Sequence, residues 1–246
     1  MKVIIIISAY ACFSVLTALS ACSAQHKVVS KKEHNETITP TDLTPVYPPD
    51  KTCSPIQSLY ASMIDIDGLP RESMHTGIDT GRLGEPVLSP ADGTVISAWI
   101  ADWGWGEEGA LLIRHSKQDL NYKNGAPHYY SAFYHLKTDM IKNFRPGQKV
   151  TRGEKLATVF RPGGNEKYLP EVHWETWAVS NDASLEWKKS DVGYYYWTNT
   201  EAQLVDPLYL LGLHTKTDAK KIPITPYDNN SNYNNFQGFT YILPCR

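Results

Sequence analysis

The chain has 246 residues, a formal net charge of −2, 41% hydrophobic residues and 20% charged residues. This balance excludes a disordered or collagen-like chain. It also argues against a nucleic-acid binder, because there is no excess of positive charge to neutralise phosphates. The length allows one large domain or two small ones with a buried core. We therefore expect a folded protein with no nucleic-acid partner.

The first residues have the character of an export signal. A short positive start, Met1-Lys2, precedes residues 3–19, which are almost wholly apolar. This run has about the length of a signal-peptide core, and it is too short and too poorly flanked for a membrane span. We predict a signal peptide over residues 1–21.

The end of the apolar run, Leu19-Ser20-Ala21-Cys22, resembles the lipobox of bacterial lipoproteins. The resemblance implies cleavage before Cys22 and acylation of this cysteine, so that lipid anchors the protein to a membrane of the cell envelope, on the periplasmic side. Ser23, directly after the lipid-bearing cysteine, favours the outer membrane in a bacterium with two membranes. Plain secretion, with cleavage after a small residue such as Ala24, is the alternative.

Two cysteines remain for the mature protein, because Cys12 leaves with the signal and Cys22 carries lipid. An extracytoplasmic compartment permits disulfides, and the remaining cysteines are an even pair. We predict a disulfide between Cys53 and Cys245 that ties the C-terminal segment to the start of the folded part. Two free buried thiols are the alternative.

Composition divides the rest of the chain into three parts. Residues 22–52 are polar, without apolar periodicity, and predict a tether. Residues 53–211 alternate short apolar stretches with turns that contain Gly and Pro, which favours an all-β domain of antiparallel sheets. Residues 212–246 form a C-terminal tail in which residues 239–243 predict one last strand. The main predicted strands of the domain cover residues 94–100, 110–115, 129–136, 155–160 and 172–179.

Three extended segments carry histidine and carboxylate side chains. They are His75-Thr76-Gly77-Ile78-Asp79, Phe133-Tyr134-His135-Leu136 and Glu171-Val172-His173-Trp174-Glu175. Even spacing along an extended chain directs side chains to one face, and Gly77 lets the backbone bend close to a shared centre. A catalytic zinc ion takes three N or O ligands and keeps one open position. His75, Asp79 and one later histidine satisfy that count, although each segment alone is a weak signal.

Taken together, the segments resemble the lysostaphin-like zinc endopeptidases, the LytM group. The match covers about residues 70–211 in the family's order. The matching segments are His75 to Asp79, Gly84-Glu85-Pro86-Val87, Ala91-Asp92-Gly93-Thr94-Val95, Tyr134-His135-Leu136, Gly147-Gln148-Lys149-Val150, Gly153-Glu154-Lys155-Leu156, Val172-His173-Trp174-Glu175 and Asp206-Pro207-Leu208-Tyr209-Leu210-Leu211. The resemblance implies a lysostaphin-like (duplicated-hybrid-type) β domain whose antiparallel sheets form a substrate groove. It also implies one zinc ion per chain and peptidoglycan peptide cross-links as substrate.

The resemblance assigns roles position by position. His75, Asp79 and His173 are implied to be the zinc ligands. His135 is implied to be the catalytic histidine, which handles a proton of the attacking water and stabilises the tetrahedral oxyanion. Glu175, two residues after His173, faces the same way along a strand. We interpret it as a partner that orients a ligand histidine; a solvated strand carboxylate is the alternative.

Glu171 departs from the family pattern, because a second catalytic histidine is expected at this place. Either the Glu171 carboxylate serves as a general base, as in other zinc proteases, or the site is weakened. In the second case the protein binds the cell wall or activates a cell-wall amidase, as degenerate relatives do. We favour a zinc-dependent endopeptidase, because a complete open-site ligand set is retained. Aromatic residues within residues 180–204 leave open a choice between sugar stacking and ordinary packing.

Overall fold

The computed structural model describes residues 38–102, 106–180, 186–189, 195–198, 201–215 and 220–246. The strands are β1 (Thr44–Val46), β2 (Ile56–Ser58), β3 (Ile78–Thr80), β4 (Pro86–Leu88), β5 (Gly93–Asp102), β6 (Glu107–Ser116), β7 (His128–Leu136), β8 (Lys149–Val150), β9 (Lys155–Thr158), β10 (Val172–Val179), β11 (Glu186–Lys189), β12 (Tyr195–Thr198), β13 (Ala202–Val205) and β14 (Lys221–Pro223). The other regular elements in these ranges are two short helices, α1 (Thr138–Ile141) and α2 (Pro207–Leu211), and a 3₁₀ turn (Pro162–Gly164). Across them, no helix is both long enough and apolar enough to cross a bilayer.

The predicted signal peptide, the acylated Cys22 and the first part of the tether lie outside the described residues. The boundaries of the predicted domain stay predictions as well. The predicted all-β class is confirmed, because the regular secondary structure of the described residues consists mostly of strands in antiparallel sheets, with only two short helices.

An eight-stranded sheet forms the centre of the fold, with seven strands in the order β2-β3-β10-β7-β6-β5-β8 and the eighth, β13, paired with β10. Strands β5, β6 and β7 follow one another along the chain and pair as antiparallel neighbours. Strand β10 pairs with β7 along one edge and with β3 and then β13 along the other. Two further antiparallel pairs, β4–β9 and β11–β12, and one parallel pair, β1–β14, lie outside this sheet. The topology makes β10 the strand that links the three histidine-bearing segments.

The core lies against both faces of this sheet. Residues 108–113 of β6 are all buried, which is the pattern of a strand covered on both sides. Trp174 on β10 is fully buried, with its ring stacked at 6.1 Å on Phe133 of β7 and tilted at 5.8 Å from Phe239. The C-terminal segment therefore supplies part of the cover of the central strand.

The predicted last strand over residues 239–243 is wrong. The backbone N–H groups of Phe239, Thr240 and Tyr241 donate to the carbonyls of Leu210, Pro90 and Thr225, respectively. Because these acceptors belong to three separate segments, no continuous ladder forms, and only an isolated bridge between Pro226 and Tyr241 results. The segment is nevertheless fully buried, so its apolar pattern reports packing in the core and not strand pairing.

The predicted disulfide between Cys53 and Cys245 is confirmed, with a Cα–Cα distance of 4.2 Å across 192 positions of sequence. Paired backbone hydrogen bonds between Thr52 and Arg246 flank it. The bond joins the C-terminal segment to the chain three residues before β2. The disulfide therefore anchors β2. Strand β2 pairs with β3, and Asp79 lies on β3.

Candidate metal centre and active site

Strand register brings the predicted site residues together. His173 on β10 lies opposite Asp79 on β3 and opposite Tyr134 on β7. Directly opposed residues of antiparallel strands project from the same face of a sheet. Asp79 and His173 therefore meet, although 94 positions separate them in sequence.

His75 precedes β3 and reaches the same face through a close backbone approach at Gly77. A Cβ atom on Gly77 would lie 2.3 Å from the carbonyl oxygen of Trp174, so only glycine fits there. The sequence analysis expected Gly77 to let the backbone bend, and in the structure the Trp174 carbonyl occupies the space that a side chain at this position would need.

The three predicted ligand atoms form a compact triangle. His75 Nε2 lies 3.0 Å from Asp79 Oδ1 and 2.9 Å from His173 Nδ1, and the third side, from His173 Nδ1 to Asp79 Oδ1, is 2.8 Å. Zinc bonds of about 2.0–2.1 Å at tetrahedral angles hold ligand atoms roughly 3.3 Å apart. Two imidazole nitrogens and one carboxylate oxygen at these distances fit a zinc ion that keeps a fourth position open.

Both histidines of the triangle have their second ring nitrogen engaged. His75 Nδ1 lies 2.9 Å from the backbone carbonyl oxygen of Leu59, to which it donates. His173 Nε2 lies 3.3 Å from Glu175 Oε1, to which it donates. These contacts direct His75 Nε2 and His173 Nδ1 to the triangle, as partners of metal-binding histidines do.

Glu175 is buried beside His173. Only 7% of its surface is exposed, which excludes the solvated alternative. Its second oxygen, Oε2, accepts hydrogen bonds from the Tyr134 hydroxyl at 3.1 Å and from Trp177 Nε1 at 3.2 Å. The carboxylate is therefore held between β7 and β10 in an orientation that faces His173.

The electrostatics of the triangle favour a bound cation. Burial alone raises the pKa of Asp79, but His75 and His173 outweigh it and hold that pKa well below its usual value. Burial lowers the pKa of His75. Burial also lowers the pKa of His173. The hydrogen bonds that His173 makes to Asp79 and Glu175 outweigh burial and raise this pKa to about 9. Without metal, the proton of the triangle therefore resides on His173, and a metal ion has to displace it.

His135 approaches the triangle through an irregularity in β7. The pairing of β6 and β7 shifts register between Gly109 and Leu111, and His135 has a left-handed backbone with φ of +59°. Such a bulge redirects a side chain that a regular strand would point to the opposite face. The His135 ring consequently lies 6.3 Å from the ring of His173, centroid to centroid.

Two carboxylates flank the His135 ring. Nδ1 lies 3.0 Å from both oxygens of Glu108, and Nε2 lies 3.9 Å from Glu171 Oε1. Burial alone lowers the pKa of His135, but the negative charges of Glu108 and Glu171 raise it above its usual value. The imidazole is therefore biased toward its charged form.

Glu171 lies directly before β10 and faces the same side as His173. It is 8% exposed, and among the described residues its Oε2 has no hydrogen-bond partner. Burial and the charge of Asp79 raise its pKa well above the usual value. The position that holds a histidine in the resembled family thus holds a buried carboxylate with one oxygen available for a proton.

Three contributors to the site were missed from the sequence: Glu108, Arg71 and the Leu59 carbonyl. Glu108 lies between Glu107 and an apolar run. This pattern is also typical of the exposed start of a strand, so it did not indicate a buried site residue. Arg71 precedes the first motif by four residues and carries no pattern of its own. A backbone carbonyl gives no sequence signal. The choice between sugar stacking and ordinary packing for the aromatic residues of 180–204 stays open, because their side chains lie outside the described part of the chain.

A buried His/Asp/His triangle with a fourth position open has the donor set that metal-dependent hydrolases use. Residues 73–185 match the model of Peptidase family M23, and this match includes all three triangle residues. Over these residues the chain is similar to Peptidase family M23.

Several solved structures are similar to part of the chain. LytU is 22% identical, with 50% of this chain and 73% of LytU covered and a TM-score of 0.37. The catalytic domain of lysostaphin from Staphylococcus simulans is 19% identical, with 63% and 86% covered and a TM-score of 0.34. A zinc-containing peptidase from Vibrio cholerae is 24% identical, with 53% and 34% covered and a TM-score of 0.35. No match was found among curated proteins.

Proposed function

We propose that the protein is a zinc-dependent endopeptidase that hydrolyses peptide cross-links of peptidoglycan. The triangle of His75, Asp79 and His173 is the observation that carries this proposal, because its three ligand atoms lie 2.8–3.0 Å apart and are oriented by outer contacts. These residues would hold the zinc ion. When bound, zinc supplies a water of near-neutral pKa and polarises the scissile carbonyl.

His135 and Glu171 supply the proton handling. The unpartnered Oε2 of Glu171 takes the proton of the attacking water. His135 Nε2, on the same side of the site, donates a hydrogen bond to the oxyanion that develops on the carbonyl. Glu171 then returns its proton to the leaving amine. Their separation of 3.9 Å, from His135 Nε2 to Glu171 Oε1, lets both groups address one scissile bond.

Release of soluble fragments from purified sacculi tests the proposal. Wild-type protein loaded with zinc should release fragments that mass spectrometry identifies as cleaved peptide cross-links, and metal analysis should give one zinc ion per chain. His135→Ala and Glu171→Gln should each retain zinc and lose release by about 10²-fold or more. His214→Gln, whose ring packs on Phe236, is the matched histidine control. Equal background release by wild type and His135→Ala would contradict the proposal.

A second candidate function follows from Glu171 itself. If the carboxylate cannot replace the expected histidine, the protein is a zinc-binding module that recognises the cell wall or activates a cell-wall amidase. Glu171→His distinguishes the two functions, because a gain from near-zero release supports the module, whereas a loss supports Glu171 as the working base. An amidase assay with and without the protein then tests the activator role.

We further propose that the protein is anchored in the cell envelope, on the periplasmic side, by lipid on Cys22. The lipobox-like sequence Leu19-Ser20-Ala21-Cys22 supports this proposal, as does the Cys53–Cys245 disulfide, since structural disulfides are typical of oxidising compartments. Wild-type protein should incorporate a labelled fatty acid and fractionate with membranes. Cys22→Ser should do neither, whereas equal labelling of both proteins would reject the anchor.

A further inference from the structure

We infer that Glu108 is a positioning residue of the active site, which holds His135 so that its Nε2 faces the reaction. The inference deepens the proposed function, on which its catalytic meaning rests. Glu108 lies on β6, outside all three segments that carry the predicted site residues.

The contact between Glu108 and His135 is buried and double. Glu108 is 1% exposed, and both of its oxygens lie 3.0 Å from His135 Nδ1, which donates to them. A buried carboxylate is costly unless it is paired and hydrogen-bonded. The pair therefore fixes the proton on Nδ1 and leaves Nε2, on the opposite side of the ring, to face Glu171.

The backbone of His135 explains why such a hold is needed. Its φ of +59° belongs to the left-handed region, which costs a non-glycine residue free energy. The bulge directs the ring to the site face but does not set its rotation about χ2 or its tautomer. The Glu108 carboxylate supplies both constraints, as an orienting carboxylate does for a catalytic histidine.

Glu108 also holds a second backbone segment, through Gly163. Its Oε2 accepts a hydrogen bond from the backbone N–H of Gly163 at 3.0 Å. Gly163 belongs to the 3₁₀ turn that follows Phe160, and Phe160 is bridged to Glu171 by their backbones. One carboxylate thus fixes the His135 ring and the segment that lies beside Glu171, and this double contact favours a positioning role over simple charge compensation.

Three variants test this inference in the full chain. Glu108→Gln keeps the volume but loses the charge and one acceptor, Glu108→Ala removes both contacts, and Glu107→Gln changes the exposed neighbour as a matched control. We expect the first two variants to lower kcat at least tenfold with KM within twofold of wild type, the scale of a lost orienting partner. In a His135→Ala background, Glu108→Gln should cause a smaller loss than in wild type, because the contact with the ring is already gone and only the contact with Gly163 remains.

Nitrogen-15 NMR of the histidine rings supplies a measurement that does not depend on activity. Wild-type protein should show a protected, downfield Nδ1 proton on His135, which shifts upfield in Glu108→Gln and disappears in Glu108→Ala. The circular-dichroism melt shows that each variant is folded, and Glu108→Gln suffices if the alanine variant is not. An unchanged His135 Nδ1 signal in Glu108→Gln overturns the inference. If wild type is inactive but the signal responds, the proposed function fails and the positioning contact stands.

Discussion

The Nη2 group of Arg71 donates to Asp79 Oδ2 at 2.6 Å, while the other oxygen of Asp79 faces the two imidazoles of the triangle. The same Nη2 group lies 2.7 Å from Asp65 Oδ1. Arg71 sits on an irregular hairpin, in which its N–H donates to the Met63 carbonyl, and this hairpin ends at His75. One hairpin therefore delivers a ligand and also fixes the orientation of a second ligand.

Removal of the Arg71 side chain should weaken metal binding. Arg71→Gln frees Oδ2 of Asp79, so the carboxylate is no longer held with Oδ1 toward the histidines. We expect zinc affinity to fall by about 10–100-fold. Competition with a chromophoric chelator measures it, and Arg82→Gln, at an exposed position, is the control. Equal affinity of wild type and Arg71→Gln would show that the ion pair does not orient the ligand.

A methyl group on Gly77 should separate β3 from β10. Its Cβ would meet the Trp174 carbonyl oxygen at 2.3 Å, so we expect Gly77→Ala to lower the free energy of unfolding by about 3 kcal/mol. Gly84→Ala is the control, because its Cβ meets nothing within 4 Å and only its φ of +82° opposes the change. That variant should cost about 1–2 kcal/mol and retain zinc. Urea titration measures both, and equal losses would contradict a steric role of Gly77.

The buried His115 ring should cause the free energy of unfolding to fall at acidic pH. Burial lowers the pKa of this ring to about 4, from 6.5 when unperturbed. The unfolded chain therefore binds the proton first, so the stabilisation is complete above pH 6.5 and is lost as the pH falls from 6.5 toward 4. The loss amounts to about 3 kcal/mol. In urea titrations, His115→Gln should show a smaller difference between neutral and acidic buffer than wild type. An identical pH dependence would reject this assignment.

Loss of the disulfide should destabilise the domain without disrupting its sheet register. Replacement of both Cys53 and Cys245 by serine frees the C-terminal segment from the chain before β2, and we expect a loss of about 2–5 kcal/mol. Wild-type protein under reducing conditions should show the same lowered urea midpoint. If the reduced protein matches the oxidised one, the buried segment over residues 239–243 holds the terminus without help.

Local sequence patterns determined the strands and the segments that bear the site. The runs over residues 110–115, 129–136 and 172–179 have strand length and strand composition, and strands cover all of them. The two-residue spacing of Glu171, His173 and Glu175 also predicts correctly that they share one face, because side chains alternate sides along extended backbone. The spacing of His75 and Asp79 on either side of Gly77 likewise allows both to reach one centre. The even pair of cysteines led to the correct disulfide.

Only the tertiary structure decided which groups surround those segments. Glu108, Arg71 and the Leu59 carbonyl meet the site across strand pairs and a hairpin, and no periodicity within one segment encodes such contacts. The C-terminal segment shows the same limit, since residues 239–243 look like a strand but donate to three separate acceptors. Alternation and turn residues are local properties of the backbone. Register, bulges and burial depend on contacts between distant parts of the chain, and these contacts place the side chains that orient His75, Asp79 and His135.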